Sequence, residues 1–364
     1  MNKVDIWFLS IVLLLAAGGF LIFLSASFGL LAREEGARMS SIIFNQIFLG
    51  LLPGLALLFV CSRINYKVWK KYSFYIFFLS IAVTLFVFVP GVGLKLNGAS
   101  RWILVGPLSF QPAELLKLGL VLYLAAWFSG VRFKVHTFAY GLIPLFIFLS
   151  IVGFILLKQP DTGTLVVMLA ASIGIFFLSG ARVRDIIALF TVAVVTLAAL
   201  AFTRPYVKER ILTYINPLGD IQGAGWQIGQ SFIAVGSGGL LGRGFGHGIQ
   251  KFTYLPEPIG DSIFAVAAEE FGLVGALAIV SLFVFFALRG FHIANRAPDY
   301  FSRLTVIGIV ILIVGQAFLN IGSMLGIFPL TGVPLPFISH GGTALLFTLI
   351  GSGIILNISR YTRA

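Results

Sequence analysis

Runs of apolar residues long enough for helices recur near residues 6–27, 44–62, 73–90, 112–130, 139–157, 163–180, 185–203, 263–288, 303–326 and 342–358. Most approach the twenty or so residues a helix needs to cross the roughly 30 Å hydrocarbon core of a bilayer. Inside lipid every backbone amide must be bonded within its own segment, so such runs predict helices. The expected fold is an all-α polytopic integral membrane protein with about ten transmembrane helices. The first run is too long for the apolar part of a signal peptide and lacks a convincing cleavage site, so it is expected to remain as a span. No low-complexity linker or long charge run divides the chain, and residues 1–364 are expected to form one membrane domain.

The polar connections between these runs are not alike. One alternate set holds Arg63, Lys67, Lys70 and Lys71, then Arg132 and Lys134, Arg182 and Arg184, Arg289, Arg296 and Arg303, and finally Arg360 and Arg363. The short loops of the other set are sparser in Lys and Arg. Positive charge in short loops marks the cytoplasmic side, so both termini are expected in the cytoplasm. Segments 28–43, 91–111, 158–162, 204–262 and 327–342 then face outward, with 204–262 a large extracytoplasmic loop between the seventh and eighth spans.

Composition narrows the function. The chain is 59% hydrophobic and 10% charged, with 37 Phe, 41 Gly and a mean hydropathy of +1.04, far from a soluble domain. A net charge of +12 would suggest nucleic acid in a soluble protein. Here membrane orientation, anionic headgroups or a phosphorylated lipid substrate account for it, and no nucleic acid is expected. The single Cys61 excludes an intrachain disulfide and a multi-cysteine metal site, and the four scattered histidines lack metal-ligand spacing, so no metal site is assigned.

The candidate chemistry lies in the outward segments. Residues 250–272 read QKFTYLPEPIGDSIFAVAAEEFG, a proline-broken loop that delivers Asp261 to the start of an apolar helix. Glu269 and Glu270 follow roughly 12 Å deeper at 1.5 Å per residue, where an acid is either functional or neutralised by a partner. Glu114 and Lys117 share a helix face beginning at Pro112, as an ion pair or as a cation facing a cavity. Arg101-Trp102 suits an interfacial anchor or a headgroup contact, and Asp161 suits a helix N-cap. Arg204, Lys208 and Arg210, around Tyr206 and Tyr214, read as a basic amphipathic surface helix. The run 227–235 is too short to span and reads as re-entrant or interfacial. Seven glycines between 236 and 248 permit close backbone approach, including a phosphate-cradling nest, although GSGGLLGRG is no nucleotide P-loop. In 327–343, three prolines and three glycines surround Ser339 and His340, and Gln316 and Asn320 present two amides on one helical face for interhelical bonding.

One carboxylate beside cations suits a single displacement, in which the acid takes a proton from an attacking hydroxyl while the cations stabilise a departing phosphate. The residues themselves stop at lipid-phosphate transfer or transport.

NGASRWI with QPAE, QPDTGT, AVGSGGLLGRGFG, LPEPIGDSIFAVAAEEFG and PLTGVPLPFISHGG occur here in one order. Together they closely resemble the SEDS family of bacterial cell-wall polymerases, which includes RodA, FtsW and SpoVE, over nearly the whole chain. The resemblance implies a peptidoglycan glycosyltransferase of the bacterial cytoplasmic membrane. It would polymerise lipid II, an α-linked undecaprenyl diphosphate, into β-1,4 glycan strands at the outer face by inversion. The family's essential acid maps onto Asp261, the expected general base. Arg101, Lys117 and Glu114 match cavity positions that handle the diphosphate or its charge balance, and Arg210, Lys251, Ser339 and His340 are further expected substrate contacts. Glu257, Glu269, Asp161, Gln316 and Asn320 are expected to be structural or positioning. The resemblance also implies a class B penicillin-binding protein as partner, alongside other divisome or elongasome membrane proteins. It requires no cofactor and leaves a divalent cation, Mg or Mn, open. The chain departs from the family at Ile259-Gly260 where His-Thr is usual, at Ser262 where Phe is usual, at His340 where Tyr is common and at Ala113 where Ser is common. NGASRWI leans toward the division branch over the elongation branch. A lipid II flippase and a scaffold for division proteins are the alternative readings.

Overall fold

The computed structural model describes residues 4–33, 36–96, 99–105, 108–203, 205–216 and 223–362. The expected helices form, and local chemistry sets several of their ends. α1 (Ile6–Ser27) starts at Asp5, whose carboxylate accepts the Phe8 N–H. α2 (Gly36–Asn45) runs through a π-helical stretch, Gln46–Leu51, into α3 (Leu52–Arg63), so the second apolar helix, Met39–Arg63, begins earlier than expected. Asn65 caps α4 (Tyr66–Leu85), and Pro112 opens α5 (Pro112–Gly130), where its missing N–H is not needed. α6 (Leu142–Lys158) and α7 (Thr162–Leu178) are joined by a turn in which Asp161 caps α7. α8 (Val183–Thr203) follows.

Residues 93–110 depart from the all-helical expectation. β1 (Gly93–Leu96), β2 (Ala99–Val105) and β3 (Leu108–Phe110) form a small antiparallel sheet in that order. A hydropathy scan does not register so short an element. The Asn97-Gly98 dipeptide is a strong hairpin signal in the sequence; both residues lie outside the described ones, as do Arg204 and Arg363.

The loop 204–262 carries α9 (Pro205–Ile215), where the basic amphipathic helix was expected, and α10 (Ala224–Ser237), where the short apolar run was expected. A single turn, α11 (Gln250–Thr253), precedes α12 (Ile263–Asn295). α13 (Tyr300–Met324) starts on a reciprocal capping box between Asp299 and Ser302, and α14 (Gly342–Ser359) closes the fold. Among the described residues, eight helices are long and apolar enough to cross a membrane; the shorter α6 and α7 stand where the fifth and sixth spans were expected. α5, α13 and α14 are the most enclosed, and α8 is the least.

α12 is not one continuous helix. Gly272 breaks it with φ 64° and ψ −164°. The loose ends are satisfied by the glycine run: Arg243 and Gly244 N–H donate to the Glu269 and Glu270 carbonyls at 3.0 and 2.9 Å, and Leu273 and Val274 N–H donate to the Gly239 and Leu240 carbonyls at 2.9 and 3.2 Å. These contacts use the backbone of 239–244 to mend a helix, so the amides of Arg243 and Gly244 are not available to a phosphate. A broken helix at a membrane is tolerated where protein re-satisfies its backbone in this way.

Glu269 and Glu270 lie just before the break. Arg289 binds Asp5 at one end of α1, with 2.7 Å between Nη2 and Oδ2, and Glu270 accepts from Ser25 at the other end at 2.6 Å. The two contacts are about twenty residues apart on each helix, roughly 30 Å and so a bilayer core in length. α1 and the part of α12 that follows the two acids are thus of matching length and fastened together at both ends. A Cβ at Gly272 would meet the backbone of Gly242 and Leu240, and its positive φ disfavours any side chain. Gly272→Ala is expected to destabilise the protein by about 1–3 kcal/mol or more, read as a lower thermal midpoint in detergent; an unchanged midpoint would mean the break carries no strain.

Candidate functional site

Asp261 is set by three elements. Its own loop is tightened by N–H donations from Gly260 and Ser262 to the Glu257 carbonyl at 3.0 and 3.3 Å, and Glu257 itself adopts φ 46°. A non-glycine residue in that left-handed region is unusual and recurs at functional sites. From α13, the Asn320 amide donates to the Asp261 carbonyl and to the Val333 carbonyl, each at 2.8 Å. From the 327–342 segment, Ser339 Oγ donates to the Gly260 carbonyl at 2.7 Å, and His340 N–H donates to the Ile259 carbonyl at 2.7 Å. Two proline-rich loops are thus bonded edge to edge with the acid at their junction.

The carboxylate is half-buried. From α10, Gln227 Nε2 donates to Asp261 Oδ1 at 3.2 Å and to Ser262 Oγ at 2.9 Å. The Arg210 guanidinium and Asp261 Oδ2 both lie over Gly332: a methyl placed on that glycine would stand 3.3 Å from one and 3.9 Å from the other. Burial pushes the Asp261 carboxyl up to about 6, helped by the Glu257 charge and opposed by the Gln227 hydrogen bond and Arg210. Desolvation outweighs one nearby cation here, so the acid is basic enough to take a proton yet ionised at neutral pH.

A second cluster lies between α5, α13 and α14. Lys117 Nζ is 2.8 Å from Glu114 Oε2 and donates to Gln316 Oε1 at 2.6 Å. These three side chains line a small, partly open pocket whose other walls include Ile309, Ile313 and Phe347. Asp261 does not line it, but a run of hydrogen bonds joins the two places. Gln316 donates to the Pro334 carbonyl at 2.8 Å, and Asn320 links the adjacent Val333 to Asp261. Gln316 and Asn320 were expected to bond between helices; Gln316 does so by accepting from Lys117 of α5, and both amides also donate to backbone carbonyls, of Pro334 for Gln316 and of Val333 and Asp261 for Asn320.

Other expected contacts fall elsewhere. Arg101, on β2, donates to the Gln159 carbonyl at 3.2 Å and to the Pro160 carbonyl, and stands 3.9 Å from Asp161. Its guanidinium pins the sheet to the α6–α7 turn, with Asp161 also accepting from Thr164 N–H. The His340 ring stacks on Phe23 of α1, 6.0 Å between centroids. Ser339 Oγ bonds to backbone, donating to Gly260 and accepting from Leu335 N–H at 2.7 Å, and so ties the two loops together.

Lys251, an expected substrate contact, is enclosed. Its side chain is 0% exposed and its Nζ lies 2.5 Å from Glu270 Oε1 and 2.9 Å from Ser25 Oγ. Glu269 accepts from the Ile249 N–H at 2.9 Å and the Gln250 N–H at 3.2 Å, with Arg243 3.7 Å away. Both acids therefore fasten residues 249–251 to the broken end of the helix.

Among the described residues, no three His, Cys, Asp or Glu side chains gather where they could hold a metal ion. Sequence reasoning missed two residues. Gln227 gave no signal because its partner, Asp261, is distant in sequence. Gln46, in the π-helical stretch, accepts from Gly341 N–H at 3.0 Å and donates to the Ser339 carbonyl at 3.3 Å; a polar side chain inside an apolar run was the available clue.

Residues 6–364 match the family model described as "Cell cycle protein", that of FtsW, RodA and SpoVE. The chain is 41% identical over 308 residues to a probable peptidoglycan glycosyltransferase FtsW of Geobacter sulfurreducens, covering 85% of this chain and 83% of the relative. It is 38% identical over 310 residues to stage V sporulation protein E of Bacillus subtilis, covering 85% of each. Among solved structures, it resembles the rod shape determining protein RodA of Thermus thermophilus, with TM-score 0.69 and 27% identity over 99% of this chain and 98% of that one. It also resembles a chain from a peptidoglycan synthase complex whose structure concerns the coordination of polymerization and crosslinking, with TM-score 0.75 and 28% identity over 94% and 96%.

Proposed function

The chain belongs to the FtsW/RodA/SpoVE family, and from that premise we propose that it is a peptidoglycan glycosyltransferase, polymerising lipid II by an inverting single displacement with Asp261 as general base. The observation that carries this reading is the Asp261 environment: a lone carboxylate, half-buried, with its backbone bonded into two loops, one oxygen engaged by Gln227 and the other beside Arg210. The acceptor hydroxyl gives its proton to Asp261 as its oxygen attacks the anomeric carbon of the donor. The bond to the diphosphate breaks on the opposite face, which converts the α linkage to β-1,4 and releases undecaprenyl diphosphate. Arg210 is a cation whose charge acts on the base. Lys117 stands farther off, half balanced by Glu114, where a diphosphate would compete with Glu114 for its charge.

In this reading the chain is one domain of ten spans in the bacterial cytoplasmic membrane, with α6 and α7 counted as spans. Both termini lie in the cytoplasm, and Asp261 and the 204–262 loop lie on the extracytoplasmic face. The alternation of Lys and Arg supports that orientation. A class B penicillin-binding protein is the proposed partner, in line with the peptidoglycan synthase complex among its structural relatives. Relatives near 40% identity that carry FtsW and SpoVE names, against 27% for RodA, favour the division branch over elongation.

The test is to incubate the purified chain, alone and with its penicillin-binding partner, with labelled lipid II and look for glycan ladders. No ladder from a well-folded complex, with transbilayer movement of lipid II instead, would overturn the polymerase in favour of a flippase. The pH dependence is a second check. The base must be ionised, so the rate is expected to fall as pH drops through about 6. An acid limb near pH 4 would mean that the carboxylate is not desolvated during turnover.

A further inference from the structure

The base is held by a group that belongs to another element. α10 brings Gln227 to Asp261 with its stem fixed on both sides. Trp226 Nε1 donates to the Tyr254 carbonyl at 3.0 Å, and Ser231 Oγ donates to the Gln227 carbonyl at 2.8 Å and touches Met324 Sδ at 3.4 Å. The two N–H bonds of one carboxamide then go to Asp261 Oδ1 and Ser262 Oγ. An amide spent in this way fixes the carboxylate about its side-chain torsions, so that Oδ2, over Gly332 and beside Arg210, is the oxygen left to take a proton.

We propose that Gln227 is the positioning residue of the base: it orients the Asp261 carboxylate and favours its ionised form. The inference rests on the reading of Asp261 as base. The other groups facing Asp261 are Glu257 on its own loop, Arg210 on α9, the neutral Asn320 on α13, and the Ser339-His340 pair, which meets the loop through Gly260 and Ile259 while the imidazole stacks on Phe23. Gln227 reaches the carboxylate with a direct side-chain hydrogen bond. A donor to the charged form opposes desolvation, so its loss leaves burial and Glu257 less opposed.

The test is the pH–rate profile of lipid II polymerisation by the full chain with its penicillin-binding partner, for wild type, Gln227→Leu, Gln227→Glu and Asp261→Asn. For Gln227→Leu the acid limb is expected to move up by about one unit, with kcat falling about twofold at pH 7 and about tenfold at pH 5, KM little changed, and activity returning as pH is raised. Gln227→Glu, which keeps the shape and adds a second carboxylate, is expected to move the limb further. A moved limb separates this role from a merely structural one, which would cost activity at every pH and leave the limb in place. A Leu variant with an unmoved limb overturns the proposal. If the Leu variant does not fold, the Glu variant decides on the same criterion. Wild-type ladders from Asp261→Asn would instead overturn the base assignment itself, an outcome distinct from an unmoved limb in the Gln227 variants.

Discussion

Asp261→Asn is expected to lower the rate of glycan polymerisation by about 10²–10⁴-fold, the usual contribution of a general base. The substitution keeps the size and planarity of the side chain, and the backbone bonds from Asn320, Ser339 and His340 to residues 259–261 do not involve the carboxylate. What it removes is the ability to accept a proton. Folding is therefore preserved, and at neutral pH the variant is expected to melt no lower than wild type. The sign follows from the raised carboxyl. A native state that binds its proton more tightly than the unfolded chain is favoured at low pH, and that advantage is lost as pH rises through about 6. At pH 7 the wild type carries an ionised carboxylate in a desolvated place, and asparagine relieves it. Ladders at near wild-type rate from the purified variant would remove Asp261 from the chemistry. A lost ladder with a much lowered melting point would show that the residue holds the two loops together.

Breaking the Lys251–Glu270 pair is expected to have the largest effect on stability. Both side chains are almost wholly enclosed, at 0% and 1% exposure, and the ammonium is satisfied by Glu270 and Ser25. Removing one partner leaves a charge without its counter-ion, which costs about 3–5 kcal/mol in buried pairs. Lys251→Met and Glu270→Leu should each lower the thermal midpoint sharply. The double variant should recover most of the loss, because well-packed apolar replacements of a buried pair are often neutral or better. Activity in the double variant separates two roles. If Lys251 serves only to fasten the 249–251 segment, polymerisation returns with stability. If its ammonium meets the substrate, stability returns and polymerisation does not. Equal midpoints for both singles and wild type would mean that the pair is hydrated in solution.

The fold was legible where one segment could satisfy its own physics. A helix in lipid bonds its own backbone, so hydropathy located the spans from 6–27 to 342–358 within a few residues, with three exceptions, among them α4, which starts at Tyr66 where 73 was expected. The second helix starts earlier because the π-helical stretch Gln46–Leu51 joins two α-helices without interrupting the apolar run. Residues 263–288 read as one helix because the glycine that breaks it looks, in sequence, like any of the forty-one. The small sheet of 93–110 escaped for the opposite reason, since its strands are too short to register over a window suited to spans.

For the site, the sequence by itself determined the inventory. A carboxylate follows a proline-broken loop, Glu114 and Lys117 lie three residues apart on a helix, and two amides lie four apart on another. Such local spacings fix which residues share a face, whatever surrounds them. The tertiary structure decided which of these meet. It joined Lys117 to Gln316 and Asn320 to Asp261, enclosed Lys251 against Glu270, turned Arg101 onto the α6–α7 turn, and brought Gln227 across from α10. Those pairings link residues tens to hundreds of positions apart. Their partners are chosen by how the helices and loops pack, and the charge or proton affinity of a side chain such as Asp261 is set by the water that packing removes.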